Sequence, residues 1–455
     1  MDLNQNNKQE LYVSRYTFFV EHDGRYFLYN TLSNALTEVD GELCGYLKEI
    51  KGKQVKLNIE MDDDIMKILL TNRFITENGE DEYLIYKSVI QSLRSELQTL
   101  ILTIAPTMDC CFDCHYCFER TKSPVYMSEN TMRGIAKFVS SLEYIKLVKI
   151  TWFGGEPLMA VPQMEKLYRK LKRRLKGTPI RSNIITSGFH LNEPNIRALQ
   201  RMKVTQMQIT LDGMKDSHNK IKFTSECDDA FSRVLENIDL TTTLAPEIHI
   251  VIRTNLTKTN AHEYEALQNL VFERFGGRNV AIAPAFVMDR DESGRADRGN
   301  LFSHSEYPNY ILGLSNSGID SPQVRYPSRH LTECAIRNPL SLSFGPDGAV
   351  YKCWEHIGNP EFIVGKINKD GNMSITDRTL FNRQMYGADP LEDKQCRECA
   401  YLPLCHGGCP IQRIQNKFYG HITTIALTTR DIFTSLLQNI YVKRRQEYRI
   451  CIDNF

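Results

Sequence analysis

Cys110, Cys114 and Cys117 lie close together in the run Cys110-Cys-Phe-Asp-Cys114-His-Tyr-Cys117. Three thiolates on one tight loop can ligate three irons of a 4Fe–4S cube and leave the fourth iron open to an exchangeable ligand. A partial zinc site is the other chemistry this spacing allows. A second run, Gly154-Gly155-Glu156-Pro157, combines two glycines that permit close backbone approach, amides that can meet an anion, and a carboxylate that can accept from an ammonium group. Its plain alternative is a turn between a strand and a helix. Thr210-Leu-Asp212-Gly213 can supply ribose hydroxyl partners, or serve only as a turn. A further set, Cys334, Cys353, Cys396, Cys399, Cys405, Cys409 and Cys451, is concentrated toward the C-terminus.

The distribution of thiols bears on compartment. The 455 residues include 13 Cys, an odd number, and residues 118–333 contain Cys227 alone. Secreted disulfide scaffolds are small and cysteine-dense throughout, so clustered thiols here point to metal or iron–sulfur sites in a reducing, cytoplasmic setting. Lys and Arg total 56 against 55 Asp and Glu, a net charge of +1. That balance gives no support to nucleic-acid binding, which needs a basic excess. No apolar run reaches the roughly 18 residues a membrane span needs. The polar N-terminus lacks the apolar stretch of a signal peptide.

Three regimes must position these residues. Residues 1–90 begin with strand-like runs at Tyr16–Glu21 and Tyr26–Asn30 around Asp23-Gly24, a hairpin signal. A short strand at Leu36–Val39, an N-cap at Asp40 and helical spacing over Asp62–Leu70 complete a small α+β segment. From residue 99, strands at 100–104, 147–153, 182–186, 207–211, 249–252 and 280–283 alternate with helices at 129–142, 161–175, 193–202, 228–239 and 261–275. Six βα repeats in series predict an α/β fold with a parallel sheet, open or a partial barrel. Ligands bind such sheets at the carboxyl ends of the strands. The Cys110 run follows the first strand, Gly154–Pro157 the second and Thr210 the fourth. Residues 300–455 are irregular, with short strands at 340–344 and 349–352 and a core thin enough to need metal sites. A helix is expected over 423–449, with the basic run Lys443-Arg444-Arg445 as a solvated helix end.

The C-x3-C-x2-C loop, Tyr116 before its third cysteine and the G-G-E-P run resemble the radical S-adenosylmethionine (SAM) enzymes over residues 99–290. The resemblance implies a 4Fe–4S cluster on Cys110, Cys114 and Cys117, with AdoMet chelating the open iron. Gly154, Gly155, Glu156 and Pro157 would hold the AdoMet amino group, Tyr116 would lie by the adenine and Thr210 by the ribose, and Lys222 stands where some relatives have Arg. The implied chemistry is reductive cleavage of AdoMet to methionine and a 5′-deoxyadenosyl radical, which takes a hydrogen atom from substrate. The seven C-terminal cysteines resemble the SPASM domain, which holds two auxiliary 4Fe–4S clusters. By that resemblance Cys396, Cys399, Cys405 and Cys451 close the outer cluster, and Cys334, Cys353 and Cys409 hold the inner one. Ser328 stands where some relatives have a further Cys, so an open iron or a non-Cys ligand is implied there. A zinc ribbon is the alternative for Cys396–Cys409 in isolation.

Strands and helices ahead of such a core resemble the winged helix-turn-helix-like domain of ribosomal-peptide maturases, which takes up a precursor's leader as an added strand. The expected layout is a recognition domain over 1–90, a partial (β/α)6 radical SAM core over 91–300, and a bridging and SPASM region over 301–455. The expected activity is thioether cross-linking of a ribosomally made precursor peptide, with an electron donor such as flavodoxin or ferredoxin and no nucleic-acid or membrane partner. Carbon–carbon cross-linking is the alternative. Formylglycine formation, as in sulfatase maturases, is a second: those enzymes carry an Asp directly after the second SPASM cysteine, where this chain has Trp354, and Glu355 is the substitute catalytic base. A non-catalytic iron–sulfur protein is a third.

Overall fold

The computed structural model describes residues 11–52, 62–77, 81–117, 119, 122–287, 298–303, 306–319, 334–421 and 430–439. Ser328, Lys443–Arg445 and Cys451 lie outside the described residues, as does most of the expected C-terminal helix, of which 430–439 is helical. The chain forms two compact units: residues 1–95, 304–334 and 388–455 in the first, 96–303 and 335–387 in the second.

In the first unit, β1 (Leu11–Val13) is followed by β2 (Thr17–His22), β3 (Arg25–Asn30) and β4 (Ala35–Val39), with β5 (Ile75–Glu77) later in the chain. The strands β2, β3 and β4 form an antiparallel meander. Asp23 and Gly24 both take positive φ, 50° and 69°, which matches the twist of the paired strands. Asp40 caps the helix Gly41–Ile50 by accepting from Leu43 N at 2.7 Å. β1 pairs antiparallel with β5, a contact between three-residue strands. Leu28, Leu43, Leu47, Leu69, Phe74 and Ile75 fill the core between meander and helices.

That segment does not close on itself. Tyr16, Leu32, Tyr83, Tyr86 and Ile90 bury against Leu391 and Leu402, with Cys396 packed on the same cluster. Val20, Phe27 and Tyr29 bury against Phe433 and Leu437. Arg94 grips Asp389 through two bonds of 2.6 and 2.9 Å, the fork geometry that makes arginine–carboxylate pairs strong. Residues 1–95 and the cysteine-bearing segment after 388 therefore share a core.

In the second unit, β6 (Thr99–Ile104) leads into β7 (Thr107–Met108) and β8 (Ser123–Tyr126). The strands β9 (Leu147–Trp152), β10 (Ile180–Thr186), β11 (Val204–Thr210), β12 (His249–Leu256) and β13 (Val280–Phe286) follow. Their pairings are all parallel, in the order β13-β12-β11-β10-β9-β6. Leu100, Leu102 and Ile104 are buried while Ile101 and Thr103 are half-buried, the alternation expected when one face of the sheet meets helices. The βα repeats are thus present as read, within a few residues at each end.

The sheet goes further than the repeats. β14 (Ser341–Phe344) pairs parallel with β6, and β15 (Ala349–Tyr351), β16 (Gly365–Ile367) and β17 (Met373–Ile375) continue it antiparallel to make ten strands. The short strands expected in the irregular region are therefore an extension of the central sheet. No helix among the described residues is long and apolar enough to cross a membrane.

Candidate functional site

The Cys110–Cys117 loop leaves the sheet at the carboxyl end of β6 and is closed by the β7–β8 ladder. Thr107 Oγ1 donates to Val125 O at 2.9 Å, and Tyr126 OH to Asp109 Oδ2 at 2.9 Å. Lys122 holds the loop by donating to Phe112 O and pairing with Asp113 at 2.8 Å. Cys117 N donates to Cys114 O at 3.0 Å, a turn that brings the second and third cysteines onto one bend. Burial raises the Cys114 thiol and pushes Cys117 up to about 12. Cys110 is lowered, because Cys111 donates to it. Cys111 is thus a hydrogen-bond neighbour of a proposed ligand.

Gly154 and Gly155 pack against the backbone of residues 105–109 that leads into this loop. A Cβ on Gly154 would lie 2.3 Å from Thr107 O, and one on Gly155 would lie 2.2 Å from Asp109 O. Gly154 also has a φ of +114°, which disfavours any side chain. Gly155 N donates to Thr107 O at 3.2 Å and Glu156 N to Asp109 O at 2.7 Å. These two amides are engaged by the backbone that leads into the cysteine loop. The Glu156 carboxylate is 1% exposed. It accepts from Leu158 N at 3.0 Å, Thr186 Oγ1 at 2.5 Å, Ser187 N at 2.8 Å and Ser187 Oγ. With both oxygens engaged it ties the end of β9 to the end of β10.

A buried polar network stands at the carboxyl ends of β11 and β12. Tyr116 OH donates to Asp212 Oδ2 and receives from Asn255 Nδ2 at 3.1 Å. Asp212, fully buried, also accepts at Oδ1 from Asn255 N at 3.3 Å and pairs with Lys222 Nζ at 3.5 Å. Lys222 Nζ lies 3.5 Å from Cys114 Sγ as well. Burial alone would lower the Lys222 pKa, but Cys114, Tyr116 and Asp212 hold it well above its usual value. Asp212 N donates to His218 Nδ1 at 3.1 Å, and burial lowers His218 to about 4, so this ring is neutral. Thr210 ends β11 beside this network, half-buried.

Trp354 and Glu355 lie on the one-turn helix Trp354–His356, where the Trp354 ring meets Phe153 edge-on at 5.2 Å. Glu355 is half-buried there. In the first unit, Cys396 N donates to Asp393 Oδ1 at 3.0 Å, Cys399 N to Cys396 O at 3.1 Å, and Arg413 donates to Cys396 Sγ at 3.3 Å. Cys405 ends the helix Leu402–Cys405, and Cys409 caps Pro410–Tyr419. Cys334 is exposed, and Cys353 is half-buried before Trp354.

Three cysteines on one loop are the donor set that a 4Fe–4S cube takes, each thiolate binding a different iron. Among the described residues no three His, Cys, Asp or Glu converge as the ligands of one ion do. A cation already sits against one of the thiols. Sequence reasoning missed Asn255, His218, Thr186 and Ser187, whose roles arise only when strand ends meet. It also missed Glu119, whose carboxyl is raised to about 8 by burial and whose Oε1 has no hydrogen-bond partner among the described residues. Its place two residues after Cys117 was the only signal.

Residues 104–242 match the radical SAM superfamily. A cysteine-type anaerobic sulfatase-maturating enzyme of Clostridium novyi is 21% identical over 69% of this chain and 88% of its own length. A serine-type enzyme of Bacteroides thetaiotaomicron is 22% identical over 68% and 82%. Among solved structures, anSMEcpe with bound AdoMet has a TM-score of 0.59 at 18% identity, covering 76% of this chain and 97% of that one. Streptococcus suis SuiB bound to precursor peptide SuiA has a TM-score of 0.52 at 14% identity, covering 92% and 100%. Residues 104–242 thus form a radical SAM domain, and the chain is an enzyme built on it.

Proposed function

We propose that this enzyme modifies a ribosomally made precursor peptide, joining a cysteine sulfur to carbon. The observation that carries the radical SAM part of the reading is the Cys110–Cys117 loop, whose lead-in Thr107–Asp109 is seated on Gly154–Gly155 and whose Tyr116 joins Asp212 and Lys222 at the carboxyl ends of the parallel strands. Cys110, Cys114 and Cys117 would hold the 4Fe–4S cluster. Bound there with AdoMet, it supplies one-electron reductive cleavage and a radical able to take a hydrogen atom. Tyr116 and Thr210 would flank the nucleoside. An ammonium group needs acceptors, and with the Glu156 carboxylate filled these are the carbonyls of the Gly154–Pro157 turn.

Two features support a peptide maturase over a sulfatase maturase. The likeness to SuiB, solved with its precursor peptide, takes in 92% of this chain, against 76% for anSMEcpe. Trp354 replaces the Asp that the sulfatase maturases use as proton acceptor, and it packs on Phe153 as a wall. Glu355, next to it, is the base this reading assigns. Cys396, Cys399, Cys405 and Cys451 are assigned to one auxiliary cluster, and Cys334, Cys353 and Cys409 to another. The region 1–90 is assigned to leader recognition, and flavodoxin or ferredoxin to electron supply.

The test uses a Cys-containing precursor peptide encoded beside the gene, with reconstituted enzyme, AdoMet and reductant. Thioether formation removes two hydrogens from the peptide and one alkylatable thiol. Loss of two hydrogens with the thiol retained would replace it with carbon–carbon bond formation. A hydrazide-reactive aldehyde would return the enzyme to formylglycine chemistry.

A further inference from the structure

Lys222 is 6% exposed, and its ammonium group has two neighbours at equal distance: Cys114 Sγ and the Asp212 carboxylate at Oδ2, both at 3.5 Å. The rings of Phe112 and Tyr116 lie 5.5 and 6.0 Å from the same nitrogen. Asp212 is itself held by Tyr116 OH and Asn255 N, so the carboxylate is fixed where it stands. Lys222 is therefore a pinned, desolvated cation whose charge is already shared between a proposed cluster ligand and a buried carboxylate.

We propose that Lys222 is a positioning residue that donates to the Cys114 thiolate and sets the reduction potential of the Cys110–Cys114–Cys117 cluster. The inference rests on the radical SAM reading of that loop. Reduction adds one negative charge to the cluster and its thiolates. A donor and positive charge at one ligating sulfur stabilises the reduced form more than the oxidised form and raises the potential. In a water-poor site the effect is large, because the charge is little screened. Asp212 tempers it by taking part of the lysine's charge, so the pair acts as an adjustable counter-ion.

The test is an EPR-monitored redox titration of the reconstituted full-length protein, with AdoMet affinity for the oxidised cluster measured in parallel. The signal is identified first, as the one lost when Cys110, Cys114 and Cys117 are all Ala. If no signal depends on them, the cluster assignment itself fails. Given that signal, Lys222→Met should move its midpoint to more negative potential, and Lys222→Arg should restore most of the shift. AdoMet affinity should change by less than about threefold, well under the tenfold that 1.4 kcal/mol represents. Asp212→Asn, which leaves Lys222 its whole charge for Cys114, should move the midpoint the other way, and it serves as the test if Lys222→Met does not fold. An unmoved midpoint in these variants overturns the proposal. So does a loss of AdoMet affinity of tenfold or more in Lys222→Met with the potential unchanged, which would make Lys222 an AdoMet contact.

Discussion

At the scale of single residues, the chemistry was most legible where spacing alone constrains it. The cysteines of the 110–117 run could be named because three thiols on one short loop have few uses. Glu156 and Lys222 were harder. Each has the right type for contacting AdoMet, and its partners within the chain come from other segments: Thr186 and Ser187 for Glu156, Asp212 and Cys114 for Lys222. No local pattern announces such a partner. His218 shows the same limit and gives a prediction. Burial lowers its pKa from 6.5 to about 4 in the folded protein. The unfolded chain takes up this proton near pH 6.5 while the folded one resists until about 4. Stability is therefore fully present above pH 6.5 and falls on acidification through that window, by roughly 3 kcal/mol at most. Chemical denaturation between pH 7 and 4 should show a shallower acid-side decline for His218→Asn. An equal decline would mean that another group carries it; His356, also lowered to about 4 by burial, supplies part of the remaining slope.

At the scale of elements, the βα repeats were legible because each strand is long enough to show apolar alternation and each helix a 3.6-residue period. The pairs β1–β5 and β7–β8, and the joining of β14 to β6, were not. Each involves at least one strand of two to four residues, paired with a segment well separated in the chain, and so short a strand carries no periodic signal. The β7–β8 ladder matters most, because it closes the cysteine loop onto Gly154 and Gly155. Gly155→Ala would place a methyl group 2.2 Å from Asp109 O. That contact must open, and it would take with it the bond from Glu156 N to Asp109 O. We expect this variant to fold but to lose at least half of the iron bound by the Cys110–Cys117 loop, measured by iron assay and EPR after reconstitution. Full iron loading at that site would show that the glycine contact does not position the loop.

At the scale of the whole molecule, the division read from composition differs from the division the fold makes. Residues 1–90 read as a separate segment because their pattern changes before residue 99. Yet Tyr16, Tyr83, Tyr86 and Ile90 share a core with Leu391 and Leu402, and Cys396 packs against it. Composition cannot report a core assembled from both ends of a chain. The consequence is that deleting residues 1–90 should do more than weaken peptide uptake. It should expose that core and cost the protein the cluster assigned to Cys396, Cys399, Cys405 and Cys451, lowering iron from about 12 to about 8 or fewer per chain. Cleavage of AdoMet should persist, because the Cys110–Cys117 loop belongs to the other unit. Undiminished iron in the truncated chain would show that the shared core is not needed for the C-terminal site.

The claim on which all of this depends is that the Cys110–Cys117 loop performs reductive AdoMet cleavage. The most direct measurement is quantification of 5′-deoxyadenosine from anaerobically reconstituted, reduced protein, wild type against the variant with Cys110, Cys114 and Cys117 all changed to Ala. The account predicts 5′-deoxyadenosine from the wild type, and from the variant none together with about four fewer irons per chain. Formation of 5′-deoxyadenosine by the triple variant at the wild-type rate would contradict it.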